Sequence, residues 1–132
     1  MFLKLYAIAL PVFLTIDALW LGIVARNFYS KHIGFLLKTN VDWVSALLFY
    51  FIFIAGLIVF VIMPGLAKGS LVNTLLLGAL FGLVTYATYD LTNQATIKDW
   101  PLIVTLADLM WGMAVSALTA GITFTIVKKL GL

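Results

Sequence analysis

The chain has 132 residues, of which 64% are hydrophobic and 10% are charged. Soluble domains carry about 25% charged residues, so this composition excludes a water-soluble globular protein and predicts an integral membrane protein. Cysteine is absent, which excludes disulfide bonds and thiolate metal sites. The eight basic residues are scattered at the ends of apolar segments, a pattern that predicts contact with membrane lipids and not with nucleic acid.

Four apolar segments are long enough to cross a bilayer, which takes about 20 helical residues. In chain order they cover approximately residues 5–24, 44–63, 71–89 and 101–127. The sequence therefore predicts an all-α membrane protein, a four-transmembrane-helix bundle that forms a single domain over residues 1–132. Pro64 and Gly65 predict the end of the second helix, because proline breaks a helix and glycine favours a turn.

The first segment resembles a signal peptide only superficially. Lys4 precedes its apolar run, but Pro11, Asp17 and Trp20 interrupt that run. No pair of small residues marks a cleavage site before Arg26. We expect this segment to be retained as the first transmembrane helix.

The connection between the first two helices, residues 25–43, mixes basic side chains with large apolar ones. This mixture is typical of a short helix that lies in the membrane interface. An extension of the first helix explains the pattern equally well. By contrast, residues 65–70 predict a tight turn, which makes the second and third helices antiparallel neighbours, and residues 90–100 predict a polar connection.

Four transmembrane helices place both termini on one side of the membrane, here called face A, and the opposite side is face B. Lys and Arg near the helix ends normally set the orientation. Each face carries four of them: Lys4, Lys68, Lys128 and Lys129 on face A, and Arg26, Lys31, Lys38 and Lys98 on face B. This tie predicts either an orientation set by another feature or insertion in both directions, as in small transporters that form antiparallel dimers.

Three aspartates lie within or at the edge of the apolar segments. A charged group at the centre of a bilayer costs at least about 2.5–3.5 kcal/mol, so it usually faces a protein interior or a wet cavity. Asp17 lies seven residues before Val24 and Asp108 lies seven residues after Pro101. At about 1.5 Å per residue, both are roughly 10 Å below face B. The third helix reaches face B at Asp90. We therefore expect all three carboxyl groups in the same half of the bundle.

Each of the two deeper aspartates is followed by a tryptophan three residues later, Trp20 and Trp111. This spacing puts the carboxyl group and the indole on one helical face, where the indole N–H can donate to a carboxylate. Gly22 and Gly112 follow shortly after the tryptophans and predict close helix packing. Alternatively, the two tryptophans are ordinary anchors at the membrane interface.

The third helix carries a stripe of related positions at spacings of four, four, four and three: Gly78, Gly82, Tyr86, Asp90 and Asn93. The two glycines form a GxxxG pattern, which predicts close contact with another helix. Toward face B the stripe becomes aromatic and polar. Asp90 has a simpler explanation as well, a solvated acid at a helix end.

Two carboxyl groups that meet in a medium of low dielectric constant cannot both remain ionised cheaply. Asp17 and Asp108 therefore predict a shared proton or a bound cation. The alternative is a purely structural hydrogen bond between helices. His32 is the single histidine and lies in a connection, so no metal site and no cofactor is predicted.

Several motifs together resemble one bacterial family, the domain of unknown function 2177. They are DALWLG at 17–22, NFY at 27–29, GLVTYATYDLTN at 82–93, WP at 100–101 and DLMWG at 108–112. The stretch from Tyr86 to Asn93 is the most specific. The resemblance implies a small four-span protein of the bacterial cytoplasmic (inner) membrane. It assigns no catalytic residues, because the family has no established activity.

Three functions remain open at this stage. The leading hypothesis is a small transporter, expected to be a homodimer, that couples a proton or cation to movement of a small molecule or ion. Its site would be Asp17 and Asp108, with Asp90 at the mouth and the mouth open toward face B. The residues expected along the path are Trp20, Tyr86, Asn93 and Trp111. The alternatives are a membrane enzyme that uses the carboxyl groups on a lipid or isoprenoid, and a subunit that pairs them with a basic residue of another protein.

Overall fold

The computed structural model describes all 132 residues, and α-helix dominates it without any β-strand. Its helices in chain order are α1 (Phe2–Val24), α2 (Phe28–Ile33), α3 (Trp43–Lys68), α4 (Leu71–Thr96) and α5 (Leu102–Leu130). All except α2 are long and apolar enough to cross a membrane. The predicted all-α fold with four membrane-spanning helices is confirmed.

Helices α4 and α5 pack backbone against backbone through glycine. A Cβ atom added at Gly78 would lie 2.8 Å from the Cα atom of Ala117, and one added at Gly82 would overlap the Gly112 carbonyl. Gly112 in turn leaves room for the ring of Tyr86. Inside a membrane, where lipid removes the hydrophobic drive between helices, such close van der Waals contact is what holds a helix pair together.

Helices α1 and α3 complete the bundle, and their buried side chains fill its A half. Leu5, Ala9 and Phe13 of α1 have no exposed surface. They belong to one apolar cluster with residues of α3 and α5: Phe53, Ile54, Leu57, Ile58, Val61, Ile62, Val115, Ala120 and Val127. Most other large apolar side chains are exposed on the outside of the bundle, as expected for a surface that contacts acyl chains.

The predicted end of the second transmembrane helix at residue 63 is wrong, because α3 continues through Pro64 to Lys68. In a regular α-helix the proline ring would collide with the carbonyl group four residues earlier. A wider π-helical segment, Ile58–Ile62, lies directly before the proline and makes room for the ring.

The predicted turn over residues 65–70 is correspondingly shorter. Gly65 is not a turn residue; it lies inside α3, and an added Cβ atom would overlap the side chain of Thr74. The chain reverses at Gly69, whose φ of 62° is in the left-handed region that glycine adopts without strain. Ser70 then caps α4 by accepting a hydrogen bond from the Asn73 N–H at 3.1 Å.

Helix α4 also extends further than predicted, to Thr96 and not to residue 89, so the predicted polar connection from residue 90 begins only at residue 97. Hydroxyl groups of Thr88, Thr92 and Thr96 each donate to the carbonyl four residues earlier. Each hydroxyl group is thereby satisfied within the helix, so the threonines do not interrupt it. Asp90 and Asn93 therefore lie inside α4 and have positions fixed by it.

Of the two alternatives for residues 25–43, the structure has the short helix. Helix α1 ends in a π-helical turn, Trp20–Val24, and α2 follows as a separate element. Ile33 of α2 is buried in a small apolar cluster with Trp100 and Val104. Helix α2 therefore lies against the bundle where α5 begins, at face B.

We predict that Gly82→Ala destabilises the protein, because its methyl group would overlap the Gly112 backbone and force α4 away from α5. Such overpacking typically costs about 1–3 kcal/mol. Thermal unfolding in detergent, followed by circular dichroism, measures the effect. The predicted close packing at Gly22 is wrong, because no atom lies within 4 Å of its added Cβ. Gly22→Ala is therefore the matched control. Equal unfolding temperatures for the two variants would contradict the close packing.

Candidate functional site

A pocket of about 470 Å³ lies in the B half of the bundle, and all five helices contribute to its wall. Its lining residues are Asp17, Leu21, Tyr29, Ile33, Phe49, Thr85, Tyr86, Tyr89, Asp90, Trp100, Asp108 and Trp111. The three aspartates therefore share one cavity, together with Tyr86 and Trp111. Trp20 and Asn93 are not in the lining.

Helix α2 forms a roof over this pocket at face B. Ile33 of α2 packs with Trp100 of the α4–α5 connection, and each of the two side chains is 7% exposed. The exposed lining residues lie elsewhere: Leu21 at 47%, Phe49 at 47% and Tyr89 at 55%. They belong to the membrane-spanning helices α1, α3 and α4, so the pocket opens sideways toward acyl chains. The opening toward face B stays a prediction.

Asp108 is held by a hydrogen-bonded chain that begins on α1. The Trp20 indole N–H donates to the Tyr29 hydroxyl oxygen at 3.1 Å, and the Tyr29 hydroxyl donates to Asp108 Oδ1 at 2.6 Å. A donor to a carboxylate at this distance makes a strong, charge-assisted bond. Tyr29 on α2 thereby joins the connection to the site, a role that its position in a mixed apolar and basic segment did not reveal.

Asp17 has two different donors. The Tyr50 hydroxyl donates to its Oδ2 at 3.0 Å, and the Trp111 indole N–H donates to its Oδ1 at 3.4 Å. Neither indole N–H therefore donates to the aspartate of its own helix. The rings of Trp20 on α1 and Trp111 on α5 are stacked, with 4.5 Å between their centres and 7° between their planes. The two indoles therefore link α1 to α5.

Asp90 is 1% exposed, and its Oδ1 atom has no hydrogen-bond donor. Its carboxyl group lies within hydrogen-bonding reach of the Asp108 carboxyl group. The carboxyl group that lies next to Asp108 is thus that of Asp90, whereas the sequence predicted that of Asp17. The reason is the extra length of α4, which carries Asp90 into the closely packed α4–α5 interface. Two adjacent carboxyl groups need a proton or a cation between them.

A second polar network fixes the connection between α4 and α5. The Trp100 indole N–H donates to Thr105 Oγ1 at 3.0 Å, and Thr105 Oγ1 donates to Gln94 Oε1 at 2.8 Å. Gln94 Nε2 returns a bond to the Trp100 carbonyl at 3.0 Å. Asn93 is half-buried beside this network and outside the pocket. The closed ring orders the first turn of α5 and so the position of Asp108.

All the charged side chains of the pocket lining are acidic. None of its lining residues is basic, while three are acidic and eight are hydrophobic. The three carboxyl groups do not converge as the ligands of one metal ion would. Tyr29 also lines the pocket. Its burial is the main cause that raises the pKa of Tyr29 above its ordinary value of 10.0, and its hydrogen bond to Asp108 is the second. Tyr29 therefore stays a hydroxyl donor at neutral pH.

We predict that Tyr29→Phe destabilises the folded protein most at neutral pH. The lost bond to Asp108 is worth on the order of 1.5–3 kcal/mol. Because folding raises the pKa of Tyr29, its stabilising effect is complete below pH 10 and is lost as the pH rises through the higher, folded-state value. Chemical unfolding in mixed micelles at pH 7 to pH 11 measures the difference between wild type and variant. A difference that grows above pH 10 would contradict the arrangement.

The family comparison agrees with the fold. The sequence profile of DUF2177, described as a predicted membrane protein, matches residues 2–125. No curated protein and no solved structure is significantly similar to the chain. Since the match covers nearly the full length, including every aspartate of the pocket, the chain belongs to the DUF2177 family of membrane proteins.

Proposed function

We propose that the protein is a small proton-coupled transporter of a lipophilic organic cation. The observation that supports this most is the contact between the Asp90 and Asp108 carboxyl groups in a pocket without any basic residue. Such a pair holds either one proton or one positively charged ligand. A cation that binds therefore releases the proton, and a returning proton releases the cation.

The walls of the pocket favour an organic cation. Trp111 lines the pocket with its ring stacked on Trp20, and Tyr86 and Tyr89 line it from α4. Aromatic faces attract cations, by about 2 kcal/mol or more when the charge is desolvated. The volume of about 470 Å³ is also within the usual range of small-molecule sites.

The lateral opening suggests how such a ligand arrives. Leu21, Phe49 and Tyr89 at the rim are about half exposed and lie on membrane-spanning helices. A lipophilic cation concentrates in the bilayer and reaches this rim from the surrounding leaflet. Asp17, held by Tyr50 and Trp111, lines the same pocket and adds negative charge along the path.

The protein would work as a homodimer in the bacterial cytoplasmic membrane. Four helices of this length enclose little volume, so a second copy would shield the rim. The even distribution of Lys and Arg between the faces is compatible with an antiparallel pair.

The same lateral rim favours a second candidate, a membrane-embedded enzyme. A lipid or isoprenoid could enter between α1, α3 and α4, and Asp90 and Asp108 would serve as general acid and base. Mass spectrometry of membrane lipids from cells with and without the gene tests this candidate. It fails if the two lipid profiles are identical.

Transport is tested in proteoliposomes with an imposed pH gradient and ethidium, a fluorescent lipophilic cation. We predict uptake by the wild type and a loss of about 10- to 100-fold in Asp108→Asn or Asp90→Asn, as for a lost charge-assisted bond. Asparagine keeps the shape of aspartate but cannot exchange a proton.

Asp99→Asn is the matched control, because Asp99 is exposed in the connection and has a φ of 61° that asparagine tolerates. Size-exclusion chromatography verifies that each variant is folded. The proposal fails if the wild type moves no ethidium, or if the control and the two pocket variants transport equally.

A further inference from the structure

Helix α5 carries a second polar feature below the pocket, in the A half of the bundle. Ser116, Thr119 and Thr123 follow Asp108 and Gly112 at spacings of four, four, three and four, so all five lie on one helical face. The three hydroxyl-bearing side chains are completely buried. None of their hydroxyl oxygens has a hydrogen-bond partner.

These three hydroxyl groups differ from the others in the membrane-spanning helices. Seven threonines donate to the carbonyl group four residues earlier: Thr15, Thr74, Thr85, Thr88, Thr92, Thr96 and Thr125. This bond is available to any helical threonine and satisfies it without help. Thr119 and Thr123 do not make it, so their hydroxyl groups have no partner on their own helix.

An unpaired hydroxyl group inside a bilayer is expensive, and three on one face indicate a common partner. Water is the smallest partner that can both donate and accept, and buried waters usually bind polar groups that the protein leaves unsatisfied. Asn73 Nδ2 on α4 is a further buried and unpartnered atom in the same half of the bundle.

The face covers most of the distance between the pocket and the A end of α5. Thr123 lies 15 residues after Asp108, or about 22 Å at a rise of 1.5 Å per residue. Between Asp108 and Ser116, the ring of Tyr86 packs on Gly112 while its side chain also lines the pocket. Ser116 begins one helical turn below that contact, at the close approach of α4 and α5 opposite Gly82.

We propose that Ser116, Thr119 and Thr123 bind a file of water molecules that conducts protons between face A and the pocket. This inference rests on the proposed function for the use of the proton, which displaces the cation from the carboxyl pair. Each proton passes along hydrogen bonds, so no bond other than O–H forms or breaks. Phe13 and Phe53, whose ring centres are 5.2 Å apart in the core beneath the pocket, would exclude the larger cation from this route.

Solid-state NMR of the protein in lipid tests the water file without any need for transport. Magnetisation transferred from water should reach the methyl groups of Thr119 and Thr123 quickly, approaching the rate at exposed Thr39. Ala120 is the dry reference, because it is adjacent in sequence, equally buried and part of the apolar cluster. Transfer to Thr119 and Thr123 as slow as to Ala120 would overturn the proposal.

Proton conduction is tested with the double variant Thr119→Val and Thr123→Val, which keeps the side-chain shape and removes both hydroxyl groups. In proteoliposomes with the pH dye pyranine inside, we expect ethidium-driven proton flux to fall at least about tenfold, as for loss of a hydrogen bond in the path. Binding of ethidium, read from tryptophan quenching, should not change.

Thr125→Val is the matched control, because the Thr125 hydroxyl donates to the Gly121 carbonyl and does not belong to the file. Normal flux in the double variant would overturn the proposal even if waters are present. If the wild type shows no ethidium-driven flux, the transport proposal fails, and the NMR measurement still decides whether the file exists.

Discussion

The structure depends on one constraint: three acidic side chains lie at a depth where lipid cannot solvate them. Each therefore needs partners from the protein, and these partners lie on helices other than its own. Asp108 has Tyr29 and Asp90, while Asp17 has Tyr50 and Trp111. These hydrogen bonds hold α2 against the pocket and place the two stacked indoles between α1 and α5. The site and the fold of the B half are thus the same set of contacts.

The A half is stabilised in a different way, and the difference supports a division of tasks. Glycines there bring α4 and α5 into backbone contact, and the apolar cluster packs α1 and α3 around them. This dense half lets the B half keep a cavity without loss of the bundle. Ser116, Thr119 and Thr123 leave unpaired hydroxyl groups at its centre, and the proposed passage of protons rests on them.

Composition and segment length were enough to predict the four spans, because the thickness of a bilayer dictates them. The depth of Asp17 and Asp108 followed from helical rise, and all three aspartates do line one pocket. The helix ends were mispredicted where contacts within one helix accommodate residues that often end it: a π-helical segment accommodates Pro64, and the threonine hydroxyl groups after Asp90 bond to carbonyl groups of α4 itself. Tyr29 and Tyr50 could not be assigned to the site, since no pattern within a helix reveals a partner on another helix.

The central claim is that Asp90 and Asp108 share one proton until a cation replaces it. Infrared spectroscopy of the protein in lipid at neutral pH measures this directly, because a protonated carboxyl group has its own C=O stretching band. We expect a band that disappears in Asp90→Asn and in Asp108→Asn, and that ethidium removes from the wild type. A wild-type spectrum without a protonated carboxyl band, or a band that survives both substitutions, would contradict it.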